Sequence, residues 1–174
     1  MPNSFVRDHR GTPLSDAWAE IRTREQVIRY RRVGAGHPVL VLAEQQEICP
    51  TVVRALTETG AVRLIMPELP LEAVHLAGWA ADFLEGIGAT SVGLLATQSF
   101  AGAAIELAML GAEQIERVVL VAEEPGRFGR WCEGWKEAGL ECGDRGLRVP
   151  LLLVHKGLPM DEIGPLVKRF FDAR

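Results

Sequence analysis

The sequence predicts an α/β fold: a mostly parallel, doubly wound sheet of about seven strands, flanked by helices and preceded by an antiparallel hairpin. Two observations lead to this prediction. Short apolar runs rich in β-branched residues, such as PVLVLAE (38–44), alternate with segments whose apolar residues recur at helical spacing. Before them, two stretches alternate apolar and polar residues, as strands with one solvated face do. Strands that alternate with helices build a parallel sheet covered on both sides.

The predicted elements run through residues 17–174, which we expect to form one domain after an extended or disordered lead-in of residues 1–16. The two hairpin strands come first and five further strands follow. Their sequences are, in order, AWAEIRT, QVIRYRRVG, PVLVLAE, AVRLIMPE, SVGLLATQ, ERVVLVAEE and VPLLLVHK. Helices are predicted over residues 50–59, 70–88, 100–110 and 161–174, with an irregular, helix-capable segment at 127–139.

The overall composition argues against nucleic-acid and membrane partners. The chain has 174 residues, 48% of them hydrophobic, and a net charge of -4, whereas phosphate binding requires a basic face. The basic run Arg29–Arg32 falls in an alternating segment, so we expect a solvated edge strand there. No window reaches the ~18–20 apolar residues of a membrane span, and the N-terminus lacks a signal-peptide pattern. The expected location is the cytoplasm.

Neither a disulfide framework nor a metal site is expected. The three cysteines, Cys49, Cys132 and Cys142, are an odd number without CxxC spacing. Carboxylates on one rim of the sheet could act as hard-metal ligands, but no HExxH or DxDxDG motif supports that interpretation. We therefore expect no metal and no cofactor.

Polar side chains follow every central strand of the predicted sheet. Ligands of open parallel sheets bind where the carboxyl ends of the strands meet, so these side chains are expected to share one rim. A hydroxyl, an imidazole and carboxylates on one rim match the logic of nucleophile, base and orienting acid. In strand order, the residues are Glu44 and Gln45, Glu68, Gln98 and Ser99, Glu123 and Glu124, and His155.

The segment LLATQSFAGAAIELA (94–108) places Ser99 in a turn between a strand and a helix. Thr97 and Ala101 stand where a G-x-S-x-G motif has its glycines, and SFAG is similar to SMGG. With the leading hairpin and the strands IERVVLVAEE and VPLLLVHKG, this segment resembles the α/β-hydrolase fold superfamily, as a small, truncated and divergent member. The resemblance implies that Ser99 sits on a nucleophile elbow and acts on an ester, a thioester or a related carbonyl compound.

The rest of the family's machinery departs from its usual pattern. Ala43–Glu44 replaces the common His-Gly after the third strand, and Pro159 falls where an acid is expected after the seventh. The eighth strand with its catalytic histidine is missing from the predicted elements, and the lid is reduced to residues 125–147. A rebuilt triad would be Ser99, His155 and Glu124, although two strand spacings, roughly 10 Å, separate His155 from Ser99.

A cleft for a small molecule is expected around Ser99. Trp131 and Trp135 stand four residues apart and share one face of any helix there, as an aromatic cover for an apolar ligand or as packing against the sheet. The predicted cleft residues are Glu44, Gln45, Glu68, Gln98, Phe100, Glu123, Trp131 and Trp135.

Two other functions remain open beside hydrolysis. One is a non-hydrolytic enzyme in which Glu44, Glu124 or His155 performs acid–base chemistry on a bound small molecule. The other is a catalytically inactive relative that binds a ligand or a protein. A carboxylate at Glu44 favours these alternatives, because negative charge beside a developing oxyanion is repulsive.

A homodimer is also expected. Without an eighth strand, VPLLLV (149–154) would form an apolar sheet edge, and such edges are usually protected or paired. The closing helix adds apolar residues beside it. They are Leu166, Val167, Phe170 and Phe171. The predicted contact is the edge of the seventh strand or this helix.

Overall fold

A computed structural model describes residues 17–23, 26–44, 50–58, 60–70, 75–110, 113–122, 149, 151–155 and 158–172. The predicted lead-in of residues 1–16 and the predicted lid remnant of residues 125–147 lie outside these ranges. Within them, no helix is both long enough and apolar enough to cross a membrane.

Seven strands form a single mixed sheet, as predicted. They are β1 (Ala17–Arg22), β2 (Val27–Gly34), β3 (His37–Leu42), β4 (Val62–Pro67), β5 (Val92–Thr97), β6 (Ile115–Ala122) and β7 (Leu151–His155). Their order across the sheet is β1-β2-β4-β3-β5-β6-β7. β2 pairs antiparallel with both β1 and β4, and every other pairing is parallel. The predicted parallel sheet with an antiparallel N-terminal hairpin is confirmed.

The described helices cover both faces of the sheet. They are α1 (Pro50–Thr57), α2 (Leu76–Gly86), α3 (Ala101–Leu110), which follows one turn of 3-10 helix at Gln98–Phe100, and α4 (Met160–Asp172). Phe83 of α2 and Leu107 of α3 belong to the core on one face, whereas Leu56 of α1 and Ile163 of α4 belong to the core on the other. α2 begins six residues later than predicted, and Pro70 lies in the irregular segment before it.

β3 shows why the apolar run PVLVLAE predicted a strand buried on both faces. Successive side chains of a strand point to opposite sides of the sheet. Leu40 and Leu42 accordingly join the core beneath α2 and α3, while Val39 and Val41 join the core beneath α1 and α4. All four are almost fully buried. A strand with one wet face would have needed polar residues at alternate positions.

The apolar face of α4 packs within the chain. Ile163 and Val167 are buried against the sheet, and Leu166, Phe170 and Phe171 are partly buried against the same core. Most of the apolar surface that suggested a dimer contact on this helix is therefore already covered. Among the described strands, β7 has a neighbour on one side only. The homodimer stays a prediction, and the edge of β7 is the better candidate for its contact.

Candidate functional site

The carboxyl ends of β3, β5, β6 and β7 reach nearly the same level of the sheet. The strand register pairs Leu42 with Ala96, Thr97 with Val121, and Ala122 with His155. Glu44 follows the end of β3 and Gln98 follows the end of β5, so both residues stand at the same edge of neighbouring strands. The predicted rim around Ser99 is thus built from the ends of these adjacent strands.

Ser99 lies in a tight turn between β5 and α3. Thr97 ends the strand in an extended conformation (φ -82°, ψ 169°), and Ala101 begins the helix (φ -57°, ψ -41°). Between them, Gln98–Phe100 forms one turn of 3-10 helix, in which the Ala101 N–H donates to the Gln98 carbonyl. Ser99 is exposed, whereas Gln98 and Phe100 are partly buried. The turn presents a serine at the rim, next to the central strand of the sheet.

The two residues at the glycine positions of the motif are both buried. Thr97 is 8% exposed and Ala101 is 4% exposed. Ala101 belongs to the core beneath α2 and α3, and Phe100 packs against that core. A larger side chain at either position would have to displace close-packed neighbours. Threonine and alanine therefore keep the strand and the helix close together without glycine.

Glu44 is the described acidic residue on the strand next to Ser99. It follows β3, is exposed, and lies beside β5 in the strand order. An ionised carboxylate accepts hydrogen bonds and donates none. Its side chain therefore contributes negative charge to the rim instead of the N–H donors that stabilise an oxyanion.

Glu68 is engaged with the hairpin. It follows β4, which is two inter-strand spacings from β5, with β3 between them. Its carboxylate lies 3.6 Å from Nη1 of Arg29, and its N–H donates to the Arg29 carbonyl at 2.8 Å. Arg29 also approaches Glu20 at 3.6 Å and lies over the Trp18 ring at 5.1 Å from its centroid. Glu68 is part of this exposed charged cluster on the hairpin.

His155 is the last residue of β7. β6 lies between β7 and β5, so two inter-strand spacings, roughly 10 Å, separate the backbones at His155 and Gln98. This is the spacing expected from the sequence. The other candidate site residues lie outside the described residues: Gln45, Glu123, Glu124, Trp131 and Trp135.

No described group of three or more His, Cys, Asp or Glu side chains could hold a metal ion. Two histidines other than His155 are described. His37 opens β3 at its amino end, the edge opposite the rim, where Nε2 is 3.3 Å from a Glu116 carboxylate oxygen. His75 is exposed at the start of α2, the helix that follows β4.

The fold is similar to that of known proteins whose structures have been solved. No family model and no curated protein matches the sequence. Solved structures do match. An α/β-hydrolase fold protein from Chitinophaga pinensis is 16% identical with a TM-score of 0.53, over 66% of this chain and 46% of its own. An epoxide hydrolase from Vigna radiata is 20% identical with a TM-score of 0.53, over 61% of this chain and 39% of its own.

A third similar structure, an α/β-hydrolase fold protein from Nakamurella multipartita, is 20% identical with a TM-score of 0.52, over 62% of this chain and 42% of its own. The chain thus spans less than half the length of each of these three proteins. At these identities the likeness shows the fold, and the predicted α/β-hydrolase fold is confirmed.

Proposed function

We propose that this chain hydrolyses a small ester, thioester or related carbonyl compound, with Ser99 as the nucleophile. The observation that carries the proposal is the position of Ser99. It is exposed in the turn between the central strand β5 and α3 of an α/β-hydrolase fold, at the carboxyl edge of the sheet. Ligands of open α/β sheets bind at this edge.

In the proposed reaction, Ser99 Oγ attacks the substrate carbonyl carbon while His155 accepts its proton. The tetrahedral intermediate collapses, the alcohol or thiol leaves with a proton returned from His155, and an acyl-serine remains. Water then attacks the acyl-serine and releases the carboxylic acid. Glu124 would orient the imidazole. Because two strand spacings separate Ser99 from His155, the serine and imidazole side chains would have to bridge the space above β6, directly or through one water.

A fluorophosphonate probe tests the nucleophile. It should label the wild-type chain and the Ser15→Ala variant, and it should not label Ser99→Ala, because the reagent requires an activated serine. Ser15 is a suitable control since it lies before β1 in the sequence, outside the segment that contains Ser99. Equal labelling of wild type and Ser99→Ala, or none of either, would contradict the proposal.

Glu44 supports a second candidate, a non-hydrolytic or purely ligand-binding protein. Glu44 follows β3, the strand beside β5, and a carboxylate near the reacting carbonyl would destabilise a developing oxyanion. Partly screened by solvent, one such charge would slow the reaction by up to about tenfold.

The Glu44→Gln variant separates these functions. If Ser99 hydrolyses an ester, the turnover of a neutral p-nitrophenyl ester should rise by about tenfold, because the repulsion is removed. A fall in turnover would mean that Glu44 assists ester hydrolysis and would contradict the repulsion. No turnover in either protein would favour a non-hydrolytic or ligand-binding function. Glu106→Gln is the matched control, since Glu106 is exposed on α3.

We also propose a homodimer that pairs through the edge of β7. The support is its place at the end of the described strand order and the coverage of the apolar face of α4. Light scattering at micromolar concentration should give twice the mass of 19.1 kDa. A monomer would rule the proposal out.

A further inference from the structure

A cavity opens at the edge of the sheet opposite to Ser99. Its volume is about 250 Å³, and it is lined by Pro38 near the start of β3 and by Ser91 immediately before β5. Ser99 follows the other end of β5, a strand of 6 residues that spans about 20 Å. The cavity therefore belongs to a different site from the proposed catalytic rim.

Two arginines line this cavity from neighbouring strands. In the antiparallel pairing of β2 with β4, Arg32 faces Ile65 and Gly34 faces Arg63. Arg32 and Arg63 are therefore diagonal neighbours on one face of the sheet, with Cβ atoms about 7–8 Å apart. Gly34, which pairs with Arg63, has Thr57 and the Val62 carbonyl packed where a side chain would lie. Arg32 and Arg63 both line the cavity.

Arg63 has a buried donor without a partner in the described part of the chain. Its Nε is buried and has no hydrogen-bond partner among the described residues. Neither Asp nor Glu occurs among the described residues that line the cavity, and no described carboxylate forms an ion pair with Arg63. Burying a charged donor without a partner costs more than leaving a neutral one unpaired. Such a group is expected to receive its partner from outside the chain.

Arg32 also keeps its donors available. Its guanidinium carbon lies 5.8 Å from the centroid of the Tyr30 ring, which also lines the cavity. A cation above a ring face is held by the quadrupole of the ring, and its in-plane N–H groups stay free for an acceptor. Planar guanidinium groups match the geometry of carboxylate and phosphate oxygens.

The carboxylate beside the cavity is already engaged. Ser91, which lines the cavity, donates its hydroxyl to Oε1 of Glu116, and Oε2 of Glu116 lies 3.3 Å from Nε2 of His37. Glu116 is not a lining residue. Its charge is thus held outside the cavity between a hydroxyl and an imidazole, and it is not directed at the arginines.

We propose that this cavity binds a small oxyanion, the carboxylate or phosphate group of a small molecule, through Arg32 and Arg63. Its volume lies below the ~300–1,000 Å³ of pockets for drug-sized ligands, so the occupant is small. Tyr30, Ile65 and Ile87 offer apolar contact to the body of such a ligand. Binding at this site does not depend on Ser99 and is a function separate from the proposed hydrolysis.

Thermal unfolding in different salts tests the proposal. Sodium phosphate and sodium succinate are titrated separately at constant pH, with sodium chloride to hold the ionic strength equal. At ten times its Kd, the recognised anion should raise the Tm of the wild-type chain by about 3–6 °C. A rise with phosphate alone identifies a phosphate site, and a rise with succinate alone identifies a carboxylate site.

Variants separate binding from general salt effects. Arg63→Met and Arg32→Met should each lose most of the rise, whereas Arg54→Met should retain it because Arg54 is exposed on α1 and pairs with Glu58. Ser99→Ala should also retain it. Arg32 is exposed, so its substitution provides a folded test should Arg63→Met not fold. No rise above chloride, or an equal rise in Arg32→Met, would overturn the proposal.

Discussion

Replacing Gly93 with alanine should destabilise the protein, because the Phe171 ring of α4 occupies the space that a methyl group would need. An added Cβ would have three ring carbons of Phe171 within 3.0 Å, closer than carbon atoms approach in proteins. The ring has little room to withdraw, since the His37 ring lies 6.5 Å from it and the Phe170 ring 5.9 Å, between centroids. Gly93 thus lets α4 pack directly onto the central strand.

The size of the effect follows from two opposing contributions. Overpacking a well-packed core costs about 1–3 kcal/mol. Alanine in place of glycine within a strand regains about 0.5–1 kcal/mol of backbone entropy. The net loss for Gly93→Ala should therefore be about 1 kcal/mol, within a range of roughly 0–2.5 kcal/mol. Phe171→Ala should cost about 2 kcal/mol, less than a fully buried phenylalanine, because the ring is only partly buried.

The combination of the two substitutions is the decisive measurement. Without the Phe171 ring, the new methyl group meets no obstacle, so Gly93→Ala should stabilise the Phe171→Ala background by about 0.5–1 kcal/mol. The coupling between the two sites is then about 2 kcal/mol. Urea unfolding of the four proteins gives these values, provided that the m-values agree and the transitions are two-state. Costs that add within about 0.5 kcal/mol would refute direct packing of Phe171 on Gly93.

The contact between α1 and α4 and the ion pairs of Arg29 give two further predictions. Gly164→Ala should lower the free energy of unfolding by about 1–3 kcal/mol, because the added Cβ would lie 2.7 Å from Cβ of Ala55 on α1. Urea unfolding measures this value. A higher free energy of unfolding, as expected for an ordinary helix glycine, would show that α1 and α4 are packed less closely. Arg29→Ala should lower the free energy of unfolding by less than about 1 kcal/mol, and by less still at high salt, since both ion pairs of Arg29 are 3.6 Å long and about half exposed. A larger loss of stability in thermal unfolding would contradict this.

Local patterns were sufficient to predict the fold because burial dictates them residue by residue. The run PVLVLAE reads as continuous apolar sequence since alternate residues of β3 enter different cores. The hairpin alternates because only one of its faces is buried, as Ile28 and Tyr30 of β2 show beside the exposed Val27 and Arg29. These signals lie within single elements, and so they can be read without knowing which elements meet.

The composition of the sites could not be predicted in the same way, because it depends on which strands are neighbours. The sequence placed Glu68 on the rim with Glu44 and Ser99, and it gave no sign of the described contacts of Glu68 with Arg29 on the hairpin. Arg32 and Arg63 are far apart in sequence, and only the antiparallel register of β2 with β4 brings them to one cavity. No local pattern encodes a register, which is set jointly by both strands.

The exposed carboxylate of Glu44 bears on the substrate of the proposed hydrolysis. Glu44 follows β3, the strand beside the one that ends before Ser99. An ionised group repels ligands of the same sign over about a Debye length.

Ester hydrolysis should therefore favour neutral or cationic substrates over anionic ones. The kcat/KM for a neutral acetate ester should exceed that for the corresponding succinate half-ester, and added salt should narrow the difference. Glu44→Gln should also reduce the difference in kcat/KM between the two esters, whereas Glu106→Gln on α3 should leave it unchanged. Equal rates for both esters, or a preference for the anionic one, would mean that Glu44 does not control the charge at the reacting carbonyl.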